Sequence, residues 1–173
     1  MALPFPIEST PEEVRAILAP LRNDFSIAIE SASNAFAVGA IIRVAHSFLA
    51  REIFLVGDAP YYEKASMGME KYENVIRLAD DNAFFDHVQG RPVYAFEKEC
   101  ATHSLYEVDP FPPHVVFAFG SERFGLTREF LVRVDRIVAI PIYGVNNSLP
   151  LAVAAGIAMS EWSRRRYKSG TFV

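Results

Sequence analysis

Short, strongly apolar runs alternate along the chain with longer stretches whose apolar residues recur at helical spacing. The predicted strands are residues 25–30, 52–57, 75–78, 92–96, 115–120 and 136–142. The predicted helices are residues 11–19, 34–50, 82–89, 127–134 and 148–167, with Asn34 expected to cap the second and Thr127 the fourth. The run VVFAFG is apolar almost throughout, as expected for a strand that is buried on both faces. The alternation predicts an α/β fold, a parallel sheet with helices on both faces.

The chain has 173 residues, of which 51% are hydrophobic, and this is enough for one domain with a substantial core. We expect residues 25–173 to form that domain. Residues 1–24 are expected to be a helical N-terminal extension in which Thr10 caps the helix. No internal repeat or linker divides the chain.

Composition excludes several classes of protein. Cys100 is the only cysteine, so no internal disulfide can form, and no spaced set of Cys and His residues indicates a metal site. The N-terminus lacks a basic segment followed by an apolar run, and no apolar run is long enough to cross a bilayer. The sequence therefore predicts a cytoplasmic protein without a metal or a membrane segment.

The charge pattern does not by itself indicate nucleic acid. The formal net charge is −4, whereas proteins that bind phosphate backbones usually carry an excess of Lys and Arg. The local basic cluster is Arg164, Arg165, Arg166 and Lys168, near the C-terminus. A solvated helix end explains this cluster at least as well, because cations are favoured there by the helix dipole.

Three segments that each join a strand to a helix have unusual composition. Ligands of such sheets bind beyond the carboxyl ends of the strands, where these segments lie. The first, SNAFAVGAIIR, contains Asn34, Gly39 and Arg43. Glycine inside a helix costs roughly 1 kcal/mol relative to alanine, so Gly39 suggests a close approach of backbone or ligand. Arg43 lies among apolar residues, and either a salt bridge at the surface or a functional role would explain it.

The second segment, FGSERFGLT, places Glu122 between Gly120 and Gly125. Glycines permit tight turns and close ligand approach, and a carboxylate can accept hydrogen bonds or orient another group. The segment lacks the P-loop pattern, and a carboxylate would repel phosphate. Taken alone, a nine-residue segment of this kind is more often an ordinary turn between a strand and a helix.

The third segment runs from Ile140 to Gly156 (IPIYGVNNSLPLAVAAG). Ser148 is expected to cap the last helix, with Pro150 in its first turn, where a missing N–H does no harm. The small residues of this helix are Ala152, Ala154, Ala155, Gly156 and Ala158. They would allow another backbone to pack closely against it.

In this order the three segments resemble the motifs of the SpoU (TrmH-like) RNA ribose methyltransferases, in the SPOUT superfamily. The first motif is matched by Asn34, Gly39 and Arg43, the second by Gly120, Glu122, Gly125 and Leu126, and the third by Ile140, Pro141, Ile142, Ser148 and Leu149. The resemblance covers roughly residues 24–165. Two positions depart from it: Pro150 stands where the family often has Asn, and Ile142 where it has Met.

The resemblance implies a parallel sheet with a C-terminal trefoil knot and S-adenosylmethionine as cofactor. It implies cofactor contacts by the residues Phe96, Gly120, Ile140, Ser148 and Leu149. It also implies a homodimer whose sites borrow groups across the interface, and an RNA substrate, with tRNA favoured over rRNA.

The implied reaction is attack by a ribose 2′-hydroxyl on the cofactor's methyl group, and an alcohol needs help to act as a nucleophile at neutral pH. Arg43 is the implied catalytic group. A guanidinium stays protonated in water, so we favour a role in binding the neighbouring phosphate and stabilising the developing alkoxide. Asn34 and Glu122 would position Arg43 and the nucleotide, and Ser148 would bind ribose or cofactor.

Two alternatives within the same fold stay open: methylation of a base nitrogen, and a non-catalytic homologue that binds RNA or cofactor. Other classes fit less well. No G-x-G-x-x-G pattern follows the first strand, which argues against a nicotinamide enzyme. The glycine-rich loop of small-molecule O-methyltransferases is also missing at that position.

Overall fold

The structure is a computed structural model, which describes residues 9–108 and 110–167. Its strands are β1 (Ser26–Glu30), β2 (Ile53–Val56), β3 (Val75–Leu78), β4 (Val93–Phe96), β5 (His103–Ser104), β6 (Val116–Phe119) and β7 (Arg136–Ala139). Its helices are α1 (Pro11–Leu18), α2 (Ala35–Ser47), α3 (Glu63–Ser66), α4 (Asp81–His87), α5 (Arg128–Leu131) and α6 (Leu151–Arg166). Short 3₁₀ turns cover Ala19–Leu21 and Met69–Lys71.

The seven strands form one sheet in the order β3-β2-β1-β6-β4-β7-β5, and every pair of neighbours is parallel. This confirms the predicted fold class. Side chains alternate between the two faces of a strand, and β1 therefore buries Ile27 and Ile29 on one face and Ala28 on the other.

Each face of the sheet is covered by helices. On one face α2 and α6 pack together over β1 and β6, with Trp162 of α6 in contact with Phe25. On the other face Phe84 of α4 stacks on Phe130 of α5, with ring centroids 5.3 Å apart. The two cores fix the sheet from both sides, so the strand ends are held firmly enough to position a site.

Proline explains two of the predicted boundaries that are wrong. Strand β7 ends at Ala139, two residues before Pro141, which has no N–H to give to a neighbouring strand. Helix α6 begins at Leu151 with Pro150 as its N-cap, so Ser148 does not cap it. A residue that precedes proline is driven into extended backbone, and Leu149 therefore cannot be helical.

The strand order places three connections across the same part of the sheet. The chain passes from β4 over β7 to the edge strand β5, returns to β6, and then crosses β4 to reach β7. Overlapping crossovers of this kind are compatible with the C-terminal knot that the family resemblance implies. The knot stays a prediction.

The N-terminal segment is tied to the domain by a buried ion pair. Arg22 Nη1 lies 2.6 Å from Glu73 Oε2, and Arg22 Nη2 donates to the Tyr72 carbonyl at 2.7 Å. The Glu73 side chain is fully buried and also contacts His46 Nδ1 at 2.8 Å. This network joins residues before β1 to α2 and to the β2–β3 connection. The first eight residues of the predicted extension lie outside the described part of the chain.

The basic cluster at the C-terminus is engaged with carboxylates of this chain. Glu161 contacts both Arg164 and Arg165 at 2.7 Å, and Arg166 lies 3.4 Å from Asp24. The hydrogen bond from Arg164, followed by that from Arg165, lowers the pKa of Glu161 to about 2. These arginines anchor the end of α6, which favours the structural interpretation of the cluster. Lys168 lies outside the described residues.

No helix within residues 9–108 and 110–167 is both long enough and apolar enough to cross a membrane.

Candidate active site

A cleft of about 690 Å³ lies beyond the carboxyl ends of β4, β6 and β7. This is the edge at which ligands bind in parallel α/β sheets, and the volume is within the usual range of small-molecule sites. The predicted site residues that line it are Phe96, Gly120, Glu122, Ile140, Ser148 and Leu149. The structure thus brings all five predicted cofactor contacts, together with Glu122, to one cleft.

The second motif forms one wall of the cleft as a tight turn. Ser121 N donates a hydrogen bond to the Gly125 carbonyl at 3.1 Å, and Gly125 N donates one to the Ser121 carbonyl at 2.9 Å. Gly125 has a φ of +67°, a conformation that residues with a side chain rarely adopt. A Cβ on Gly120 would overlap the backbone of Gly125 and Leu126, so the turn lies directly on the end of β6. The two motif glycines are required by this close packing.

Two carboxylates lie at the ends of β1 and β4, the strands on either side of β6, and Glu97 is the one that contacts this turn. Glu97 follows β4, and its Oε2 accepts a hydrogen bond from Leu126 N at 3.4 Å while lying against Gly125. Glu30 ends β1 and is 3% exposed, with Oε2 buried and without a hydrogen-bond partner. Burial raises the pKa of Glu30, and a hydrogen bond with the Ser31 side chain offsets part of that rise. A raised pKa is expected for a carboxyl group with one unpaired, desolvated oxygen.

Lys98 links β4 to the third motif on the other side of the cleft. Its Nζ donates to the carbonyl of Asn147 at 3.2 Å and to Asn147 Oδ1 at 3.3 Å. Glu97 and Lys98 thus connect the end of β4 to both loops that flank the cleft. Motif patterns do not identify these two residues. The available signal is their position directly after a buried strand, at the edge where ligands bind.

Replacing Lys98 by methionine should weaken cofactor binding about two- to fivefold, the effect expected from losing an exposed charged contact. The third-motif loop would lose its tie to β4, while the turnover rate at saturating cofactor should change little. Titration calorimetry with S-adenosylmethionine, the cofactor that the family resemblance implies, measures the change. Lys71→Met, at an exposed position outside the cleft, is the matched control. Equal affinity in the two variants would contradict this role of Lys98.

Asn34 and Arg43 do not line the cleft of their own chain. Asn34 Oδ1 accepts a hydrogen bond from Ala37 N at 3.2 Å, and Asn34 is the N-cap of α2, as its position before the helix predicted. Arg43 is exposed on α2 and forms no ion pair within the described residues. A Cβ on Gly39 would lie 2.5 Å from the Tyr62 carbonyl, so the predicted close approach comes from the backbone before α3.

Ser148 lies in the exposed loop before α6, at the rim of the cleft. Its backbone N–H donates a hydrogen bond to Asn146 Oδ1 at 3.4 Å. Its hydroxyl makes no hydrogen bond to the backbone of α6. Because the side chain does not cap the helix, its hydroxyl is free to contact a ligand in the cleft.

The thiol of Cys100 also lines the cleft. Partial desolvation, followed by the charge of Glu97, raises the pKa of the Cys100 thiol. A raised pKa keeps the thiol protonated, which disfavours a nucleophilic cysteine. Across residues 9–108 and 110–167, no group of three or more His, Cys, Asp or Glu side chains is arranged to hold a metal ion.

A doubly covered parallel sheet with a ligand cleft at its carboxyl edge, bordered by the second and third motifs, defines the class of this protein as an α/β enzyme domain. The sequence pattern of the SpoU rRNA Methylase family matches residues 24–160, and the chain belongs to this family. The predicted family is confirmed, and with it the prediction of a methyltransferase.

Individual relatives agree with this assignment. A tRNA (guanosine(18)-2′-O)-methyltransferase from Thermus thermophilus is 28% identical over 171 residues, covering 95% of this chain and 87% of the relative. A solved structure concerned with 2-OH methylation of C/U34 on tRNA superposes with a TM-score of 0.75 and 26% identity, covering 82% of this chain and 95% of that one. The AdoMet-bound rRNA methyltransferase from Sinorhizobium meliloti has a TM-score of 0.75 and 27% identity, covering 90% and 61%.

Proposed function

We propose that this chain methylates a ribose 2′-hydroxyl of RNA with S-adenosylmethionine as the methyl donor, and that tRNA is its substrate. The observation that carries the proposal is the convergence of Phe96, Gly120, Ile140, Ser148 and Leu149 on one cleft at the carboxyl edge of the sheet. The Thermus relative and the structure that superposes over 95% of its own length are both concerned with tRNA, which favours tRNA over rRNA.

The cleft fits the cofactor in size and chemistry. Phe96, Ile140 and Leu149 supply apolar surface for an adenine ring, and the backbone near Gly120 and Ser148 offers polar groups without bulky side chains. When bound there, S-adenosylmethionine supplies an electrophilic methyl group. The residues of the chain bind and orient the two reactants and keep them aligned for direct transfer.

As the oxygen of the attacking hydroxyl bonds to the methyl carbon, the bond from that carbon to sulfur would break and the hydroxyl proton would pass to water. Arg43 stabilises the developing negative charge on that oxygen and binds the adjacent phosphate, with its guanidinium as a fixed positive charge. Glu122, at the exposed side of the cleft, positions the nucleotide and Arg43. Ser148 contacts ribose or cofactor, and Asn34 fixes the start of the helix that carries Arg43.

The protein acts in the cytoplasm as a homodimer in which α2 and α6 form the interface. Phe36 and Val153 are 63% and 46% exposed on these two packed helices. A Cβ on Gly156 would meet only Val44, at 3.9 Å, so packing within the chain does not require glycine there. Arg43 lies seven residues after Phe36, on the same face of α2. A second copy on this face would bury the apolar groups and receive Arg43.

Mapping of ribose methylation in RNA from cells with and without the protein tests the proposal. We expect one or a few nucleotides of a tRNA to lose resistance to alkaline cleavage when the protein is absent, because a 2′-O-methyl group protects the adjacent phosphodiester. The purified wild-type protein should restore that resistance with S-adenosylmethionine. A missing base methylation with unchanged ribose would indicate base-nitrogen transfer, and cofactor binding without transfer to any RNA would indicate a non-catalytic homologue. Either result would contradict ribose methylation.

A further inference from the structure

We propose that Phe124, with Arg123 beside it, is a stacking platform for an unpaired nucleobase of the RNA next to the acceptor ribose. This inference rests on the proposed function and names how the same site holds its substrate. Phe124 is 79% exposed although it is one of the most apolar residue types, and it lies at the tip of the second-motif turn in the wall of the cleft.

The turn holds the backbone of Phe124 in a fixed place. Phe124 N donates to Ser121 Oγ at 3.2 Å, and the paired backbones of Ser121 and Gly125 close the turn on either side. Gly120 and Glu97 pack directly beneath it, which prevents the turn from sinking into the cleft. An aromatic ring on a rigid backbone turn has only two side-chain torsions left to order, so stacking on it costs little conformational entropy.

The positive charge of Arg123 beside the ring favours a nucleotide as the stacking partner. The Arg123 guanidinium lies 5.0 Å from the centroid of the Phe124 ring. A nucleotide fits this arrangement of cation and ring. Its base can stack on the aromatic face, and its phosphate is attracted by the planar guanidinium. Because the turn borders the proposed cofactor cleft, a base stacked on it would belong to the acceptor nucleotide or to its neighbour. Stacking tolerates every base, so Phe124 would orient the RNA without choosing its sequence.

The test compares Phe124→Leu and Phe124→Trp with the wild-type protein. Leucine keeps the ring position apolar but removes the stacking face, so the KM for an unmodified tRNA transcript should rise roughly five- to hundredfold. Tryptophan should restore it. The affinity for S-adenosylmethionine, measured by calorimetry, should stay within about twofold of wild type in both variants, since the stacking face contacts only RNA. Tyr106→Leu, which removes an aromatic ring that is 56% exposed outside the cleft, is the matched control.

Three results would overturn the platform: an unchanged KM for RNA in Phe124→Leu, an equal loss of cofactor affinity, or a changed oligomeric state. A rise in KM of the same size in Tyr106→Leu would also overturn it, because the effect would then belong to exposed rings in general. Fluorescence anisotropy with a single-stranded RNA of mixed sequence separates this inference from the proposed function. If the wild-type protein transfers no methyl group but binds this RNA more tightly than Phe124→Leu does, ribose methylation fails while the platform stands.

Discussion

Replacing Gly120 by alanine should abolish measurable binding of S-adenosylmethionine and destabilise the protein by about 1–3 kcal/mol, the usual cost of overpacking a closed site. The added Cβ would overlap the backbone of Gly125 and Leu126, which cannot move away as a flexible side chain could. The second-motif turn would be pushed off the end of β6. Phe96 and Ile140 would then face a distorted wall, and cofactor binding depends on that wall. Titration calorimetry and thermal unfolding measure the two effects.

Gly144→Ala is the matched control, since it adds the same methyl group to the third-motif loop. The nearest atom to that Cβ is Asn146 N at 3.9 Å, an ordinary contact, so cofactor affinity and thermal stability should match the wild type. Normal cofactor binding by Gly120→Ala would show that the cleft at the end of β6 is not the cofactor site.

Much of the fold is predictable because the information is local. The run VVFAFG predicts a doubly buried strand, and β6 is buried on both faces. Asn34 and Thr127 cap α2 and α5 as their positions predict, because a cap needs only a side-chain oxygen before a helix. Strand β5 is different. It has two residues and exists because it pairs with the edge of β7, which no pattern within His103–Ser104 reveals.

The residues of the site also divide into those that the sequence identifies and those that only the fold brings together. Motif spacing identifies Gly120, Glu122 and Ser148, and all three line the cleft. Motif spacing does not identify Lys98, whose contact with Asn147 spans 49 positions of sequence and depends on the interleaved strand order. The cap predicted at Ser148 fails because Pro150 dictates the backbone before it, a neighbour effect that outweighs the capping preference. The interleaving of β4, β6 and β7 is a property of the whole sheet and has no local signature.

Replacing Arg43 by alanine should lower the rate of methyl transfer about 100- to 1,000-fold, the range found when one group that stabilises a developing oxyanion is removed. S-Adenosylmethionine should bind as in the wild type, because other residues of the cleft make the proposed cofactor contacts and Arg43 acts on the RNA. Arg43→Lys should recover part of the rate, since it restores the charge but not the paired donors. Arg51→Ala is the control and should behave as wild type. Arg51 is exposed just before β2, at the amino ends of the strands, whereas the cleft lies at their carboxyl ends. Wild-type turnover by Arg43→Ala would remove Arg43 from the mechanism.

The separation of Arg43 from the cleft also gives a test of the dimer. If the arginine acts in the partner's cleft, mixed dimers of Arg43→Ala and Gly120→Ala chains contain one site with an intact cleft from the first chain and an intact arginine from the second. Co-expression of the two variants in equal amounts should then recover on the order of a quarter of the wild-type activity, because half of the dimers are mixed and each has one complete site. If Arg43 serves its own chain, no mixed dimer contains a complete site, and the mixture stays as inactive as either variant alone.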